Sequence, residues 1–452
     1  MQFEINTEFL EQVHDAIQRN DIRFLSELTH DLFPADIAEI LNRLELDDAK
    51  KLYNFLEEEV ASEVLVELDE DVREKILESL SSKEIAEKLI DNLQSDEAAD
   101  VIAELPDEKQ DEVLSHIEDE EQASDIVDLM NYDKNTAGGL MQKELVAVNA
   151  NKTMLECVRE LRKHADHIED VYAVYVVDDD EKLLGVIPIK MVLTTSLRSR
   201  ISDVYDKDII SVRTSMPAEE VAGIMEKYDL IYVPVVDGLG KLVGRITIDD
   251  VVDVIKEEAE KDIQMMSGIT EDVEHSDKIW MLSRSRIPWL LVGLVGGIFG
   301  SQVIEEYEGQ IRIHPEMAFF MPLIAAMGGN AGVQSSAIVV QGIANKTLMA
   351  EGILRKLGKE FTVGLLNGMI CAVLILGYNL FFSDSMALSI TVSVALLSVI
   401  VFATLFGTFV PLALNRYRID PALATGPFIT TTNDILGLFV YFLIGRLMYG
   451  FY

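Results

Sequence analysis

Residues 422–446, ALATGPFITTTNDILGLFVYFLIGR, form the last long apolar run of the chain and carry one carboxylate, Asp434, in their middle. A run of about 20 apolar residues is long enough to cross bilayer hydrocarbon as a helix. An ionised carboxylate at that depth is unfavourable by several kcal/mol unless it faces protein, water or a cation. Thr430, Thr431, Thr432 and Asn433 supply oxygens beside it, Gly426 and Gly437 leave room for close packing, and the nearest basic residue, Arg446, is more than three turns away. The plain alternative is a protonated, structurally buried aspartate. A water-lined path for a cation explains the neighbours better.

Four more apolar spans precede this one, giving five: about Ile287–Ile304, Met317–Ala344, Phe361–Phe382, Met386–Leu414 and Ala422–Leu447. Arg284 and Arg286 precede the first. Lys346, Arg355, Lys356 and Lys359 separate the second from the third, and Arg416 and Arg418 the fourth from the fifth. The loops EEYEGQIRIHPE and SDS are acidic or neutral, so the basic side is expected in the cytoplasm and the C-terminus outside, with Arg446 the one exception. The second span holds Gly328, Gly329 and Gly332, which let helix backbones approach. Asn330, Gln334, Ser335 and Ser336 would be unfavourable against lipid and are expected to face protein or water.

The 452-residue chain carries a formal net charge of −40, unevenly placed. Residues 1–137 hold 40 Asp+Glu against 11 Lys+Arg, whereas residues 283–452 are nearly balanced. Nucleic acid and anionic membrane surfaces are therefore poor partners and cations good ones. Cys157 and Cys371 fall in different regions, which argues against a disulfide or a thiolate metal site and for core positions. The opening MQFEINTEFLEQVHDAIQRN is charged and amphipathic rather than signal-like, so about 280 residues are expected to stay on the cytoplasmic side.

Residues 5–130 read as short amphipathic helices in an internal repeat. Ala38, Ala49, Ala61, Ala86, Ala99 and Ala123 recur about every 12 residues, or twice that, each followed by apolar positions at helical spacing. Short helices that each bury one face stack into a superhelical solenoid. Most of its acidic residues are expected on solvated faces, with Asp96 and Asp100 one turn apart.

From Tyr132 the texture changes to two copies of a helix–strand–turn–strand–helix pattern. Val177 and Val236, Asp178 and Asp237, and Gly185 and Gly244 each differ by 59. The VVD…LxG…DDV pattern resembles a tandem pair of CBS domains, which implies an α+β fold and, in the second copy, an adenine nucleotide (ATP) at Thr247 and Asp250. The first copy has Pro188 and Met191 at those places. The helix closing the second copy carries Asp249, Asp250, Asp253, Glu257, Glu258, Glu260 and Asp262, with Asp250, Asp253, Glu257 and Glu260 along one face. Like charges at that spacing repel. Divalent cations held through carboxylates and retained waters would offset this, against the alternative of a merely solvated face. A polar connecting helix is expected over about 262–283.

Acidic helical repeat, CBS pair, acidic helix, P…GGNAG…Q in the second of five spans and an aspartate in the last together resemble the MgtE family of magnesium channels. The resemblance covers the whole chain and implies this division: an all-α N-terminal domain, 1–131; CBS domains, 132–202 and 203–261; a connecting (plug) helix, 262–283; and an α-helical transmembrane pore domain, 284–452. It implies a homodimeric Mg2+ channel in the plasma membrane, not an enzyme, with Asp434 as the pore aspartate among Asn433, Thr430, Gly437, Gly426, Gly328, Gly329 and Asn330. Regulatory Mg2+ is expected at Asp96, Asp100, Asp229, Asp249, Asp250, Asp253, Glu257, Glu258 and Glu260, and Asp420 near the inner mouth. Gln341 stands where many members have arginine, and Lys261 interrupts the acidic run. A proton-coupled divalent-cation carrier regulated by nucleotide is the alternative. An intramembrane hydrolase is disfavoured, because the later spans offer no second mid-membrane carboxylate to pair with Asp434.

Overall fold

The computed structural model of the protein describes residues 5–164, 168, 171–270, 273, 278–344, 352–383, 385–424 and 426–449. These form two compact units, Met1–Lys256 and Glu257–Tyr452.

In the first unit, short helices run from Thr7–Arg19 to Glu120–Leu129. Over residues 82–92 a turn of α-helix passes into π-helical and 3-10 turns. Local chemistry sets the ends: Asn6 caps the first helix, Asn20 closes it in the left-handed conformation, and Ser81 and Glu84 form a reciprocal capping box. The recurring alanines are where helices touch. Ala38, Ala49, Ala61, Ala86 and Ala99 are buried, and Ala123 is half-buried.

Each CBS copy contains a three-stranded sheet. In the first, β1 (Ala147–Asn149) lies parallel to β2 (Ala173–Val177), which pairs antiparallel with β3 (Leu183–Pro188). The second repeats this with β4 (Val212–Arg213), β5 (Tyr232–Val236) and β6 (Leu242–Thr247). The repeated landmarks have physical reasons. Asp178 accepts from the backbone N–H groups of Asp180 and Lys182, both at 2.9 Å, and Asp237 likewise from Leu239 and Lys241, both at 2.8 Å. Another backbone crosses at each LxG glycine. A Cβ on Gly185 would lie 2.0 Å from the Asp206 carbonyl oxygen, and one on Gly244 would lie 2.9 Å from that of Gln142. Buried side chains of the helical repeat share one apolar cluster with the second copy, including Val221, Val233, Ile246 and Val251. The first copy has its own core around Val148, Met154, Val174 and Cys157, which is the core position expected of that cysteine.

Among the described residues of the second unit five helices are long and apolar enough to cross a membrane: Ile279–Glu306, Pro315–Ala344, Ile353–Phe382, Met386–Arg416 and Pro427–Tyr449. The fourth is the most buried and packs against the second and fifth through Ile324, Val392, Val399, Leu438 and Phe442. The fifth begins later than its apolar run, because Gly426 turns the chain at φ +54° just before Pro427.

The expected connecting helix over 262–283 is corrected. The helix Ile248–Met266 runs through the start of that range and stops at Gly268, which takes φ +82°. The Ile269 N–H reaches back to the Gln264 carbonyl at 2.9 Å, the bonding of a left-handed helix stop. The next described helix is Ile279–Glu306, and Thr270 is tied to it through the Ser285 carbonyl at 2.9 Å. Residues 271, 272 and 274–277, with Lys346 and the Asp384 of the SDS loop, lie outside the described residues.

Candidate functional site

Two sites emerge, one in each unit. In the first unit, helix Ser95–Ala103 presents Asp96 and helix Ile248–Met266 presents Asp250 from its first turn. Asp96 is 8% exposed, and its Oδ1 has no hydrogen-bond partner. Burial first, then the Asp250 charge, with Glu144 and Glu97 adding, holds its carboxyl well above the usual range. Asp250 is half-buried and pushed up to about 6, by burial first and then by Asp249 and Asp253, while hydrogen bonds from Thr247 pull the other way. Those bonds form a cap: the Thr247 N–H and hydroxyl donate to Asp250 Oδ2 at 3.3 and 3.0 Å.

The segment joining the two domains assembles this pair. Ser95 donates from its N–H and hydroxyl to Glu144, at 3.0 and 2.8 Å, fixing the start of the Asp96 helix. Two residues earlier, Gln142 pairs with the Arg245 backbone of β6 and accepts from Arg245 Nε at 2.8 Å, both side chains buried. Glu144 and Gln142 were not singled out by the sequence, because their partners lie 49 and 103 positions away.

Other expected ligands fall elsewhere. Asp100 is exposed and paired with Lys134 at 3.1 Å. Asp229 is exposed and closes the helix Ala218–Tyr228 in the left-handed conformation. Asp249, Asp253, Glu257 and Glu260 face solvent, and Glu258 pairs with Lys261 at 3.2 Å, so that lysine meets one charge of the acidic run. Asp420 is exposed and accepts from the Ala422 N–H at 2.8 Å to start a short 3-10 turn. Among the described residues no group of three or more His, Cys, Asp or Glu side chains is arranged to hold a metal. The Asp96–Asp250 pair, with one buried oxygen unpaired, still fits an ion that binds through one or two carboxylates and keeps its waters.

In the second unit the second and fifth apolar helices run antiparallel in close contact. A Cβ on Gly329 would lie 3.1 Å from Asp434 Oδ1 and 3.2 Å from Thr430 Cγ2, so the Asp434 carboxylate rests over the second helix's backbone. Gly328 and Gly437 both receive Val399, at 3.0 and 3.2 Å. Thr430 returns its hydroxyl to the Gly426 carbonyl at 3.0 Å. Asn330 and Gln334 are exposed, on a stripe with Ile338 and Gln341 that faces out of the bundle. Asn433 is not on that face: it is 1% exposed, with neither side-chain polar atom partnered. Gly407 is a contributor the sequence did not flag; a Cβ there would lie 2.3 Å from the Gly332 carbonyl oxygen.

Three family descriptions match parts of the chain: the MgtE intracellular N domain matches residues 32–135, the CBS domain 137–197 and 201–257, and the divalent cation transporter MgtE 321–444. The chain is 34% identical over 325 residues to the magnesium transporter MgtE of Thermus thermophilus, covering 71% of each chain. The chain belongs to the MgtE family. The MgtE magnesium transporter of Bacillus subtilis is 32% identical over 314 residues, 70% of each chain. Among solved structures, the cytosolic domain of the Mg2+ channel MgtE in complex with ATP superposes with a TM-score of 0.50 at 31% identity, covering 54% of this chain and 99% of that one. This MgtE chain therefore joins a helical N-terminal domain and a CBS pair to five apolar helices.

Proposed function

We propose that this chain is a Mg2+ channel that imports Mg2+ across the plasma membrane as a homodimer and closes when Mg2+ binds on the cytoplasmic side. The observation that carries the reading is the Asp434 carboxylate lying over Gly329, beside the outward-facing amides of Asn330 and Gln334, in helices of membrane length. Polar side chains pointing out of a membrane bundle need protein or water opposite them. A second copy, bringing its own Asp434, would cover them and enclose a wet path. Two carboxylates attract a hydrated divalent ion without stripping its shell, and a single ring of charge lets it leave again. The CBS pair supports the same assembly: Leu193 and Val252, 59 residues apart at equivalent places in the two copies, are 79% and 54% exposed, with Leu197 and Ile255 beside them.

Closure is a linkage effect at Asp96 and Asp250. Mg2+ held between them relieves a repulsion that otherwise opposes the packing of helical domain on CBS pair, so the compact state is favoured in proportion to its extra affinity for the ion. With the N-terminus cytoplasmic, five crossings leave the C-terminus outside. A nucleotide at Thr247 and Asp250 is compatible with the ATP-bound relative, because the Thr247 bonds engage only Oδ2 of Asp250 and leave acceptor capacity on the carboxylate.

The test is divalent uptake into proteoliposomes by the wild type and Asp434→Asn, across Mg2+, Mn2+, Co2+ and Ni2+. Loss of Mg2+ uptake by at least about tenfold is expected. Retained uptake refutes the pore assignment, and uptake that follows a pH gradient favours a proton-coupled carrier.

A further inference from the structure

The second and fifth apolar helices meet at a place where both residues are unusual. A Cβ on Gly332 would lie 1.8 Å from Nδ2 and 3.1 Å from Cγ of Asn433, so the amide occupies the notch that the glycine leaves. The fourth helix backs this notch, because Gly407 brings its own backbone against the Gly332 carbonyl oxygen. The second helix therefore has nowhere to yield. Asn433 is 1% exposed and both its polar atoms are unpaired, a poor choice for packing alone, where an apolar side chain of the same size avoids desolvating an amide.

The next residue, Asp434, gives the arrangement a purpose. Successive residues on a helix are about 100° apart, so whatever fixes the azimuth of Asn433 also fixes that of Asp434. Gly329 lies three residues before Gly332, on the same face of the second helix, and it is over Gly329 that the Asp434 carboxylate rests. We propose that Asn433 is a positioning residue and not an ion ligand: seated at Gly332, its side chain sets the rotation of the fifth helix and holds Asp434 over Gly329. This rests on the reading of Asp434 as the pore carboxylate.

The experiment uses the full chain in proteoliposomes, reading Mg2+ flux, the Mg2+ to Ca2+ flux ratio and the thermal midpoint in detergent. Gly332→Ala should lower Mg2+ flux roughly tenfold by displacing the fifth helix. Adding Asn433→Ala makes room for the new methyl and should recover most of the flux. Asn433→Leu keeps the shape and removes the unpaired amide, so flux should persist and the midpoint hold or rise. Asn433→Ala alone should lower flux and the Mg2+ to Ca2+ ratio with little change in midpoint, which a purely structural role would not do. The proposal is overturned if the double variant fails to recover, or if Asn433→Leu loses flux as Asn433→Ala does. Asp434→Ala, measured alongside, separates the two readings: flux that survives it removes the pore assignment, whereas failed recovery beside a dead Asp434→Ala removes only the wedge.

Discussion

Replacing Asp250 by Asn should make the first unit harder to open when no divalent ion is present. The carboxyl is pushed up to about 6 from an ordinary 3.8, a difference of about 2 units. At about 1.4 kcal/mol per unit, ionised Asp250 weakens the native packing by about 3 kcal/mol. The sign follows from proton binding. Between pH 3.8 and about 6 the native state holds more protons than the opened one, so stability falls as pH rises through that window and is lowest above it. Asn removes this dependence while keeping an oxygen to accept from Thr247, so the helix cap survives. Mg2+ at a hundred times its dissociation constant supplies about 2.7 kcal/mol, so ion and substitution should have similar effects. Amide hydrogen exchange in the full-length protein, read over residues 95–103 and 248–256 and corrected for intrinsic rates, measures this locally. In chelator at pH 7.5 the variant should exchange about a hundredfold more slowly than the wild type. Equal exchange, or wild-type protection that increases from pH 5 to 7.5, would refute the argument.

Arg73→Ala should destabilise the helical domain by about 2 kcal/mol in thermal melts, because its half-buried guanidinium donates to both Glu104 oxygens, at 2.9 and 2.6 Å, and to the Val66 carbonyl at 3.0 Å. Lys134→Ala, which breaks the Asp100 pair with side chains 63% and 61% exposed, should leave the same melts unchanged. Gly407→Ala forces its methyl onto the Gly332 carbonyl and should destabilise the bundle by about 3 kcal/mol, seen as a lower aggregation midpoint in detergent. Raising KCl roughly tenfold from about 50 mM should raise the Mg2+ needed to protect residues 95–103 from exchange, because screening weakens the pull of the exposed acids on the ion, while protection at saturating Mg2+ should hold, because the Asp96–Asp250 pair is screened much less.

What was legible in the sequence was whatever repeats locally. The alanines of the helical domain, the 59-residue offset of the CBS copies and the five apolar runs each reflect a period or a length that one element imposes on its own residues. β1 and β4 were missed because AVN and VR are too short to show alternation; they exist by pairing with β2 and β5. The connecting helix expected over 262–283 is interrupted because one glycine, Gly268, is free to adopt positive φ and ends the preceding helix. Asp96 and Asp250 were joined by the family resemblance and not by spacing, since 154 positions separate them and the segment at Gln142–Glu144 that brings them together carries no motif. Asn433 was grouped with Asp434 as a lining residue because they are adjacent, yet neighbours on a helix point in different directions.

Among the described acidic side chains only Asp48 and Asp96 are buried, at 2% and 8% exposure, and they differ in whether their charge is met. Asp48 meets the His14 ring, accepts from Gln18 at 2.9 Å and pairs with Lys51 at 3.2 Å. Its charge is met within the helical domain, and it needs nothing further. Asp96 has an unpaired oxygen, and burial first and then the Asp250 carboxylate raise the energy of its ionised form. The many exposed acids contribute little to any one state, because at physiological ionic strength their fields fade within about 8 Å. A buried charge that lacks its counter-ion is weakly screened, and its unfavourable energy changes steeply when a cation arrives. The acidity of the N-terminal domain can therefore draw divalent ions toward the chain, but in the proposed closure the free energy comes from the single pair Asp96 and Asp250.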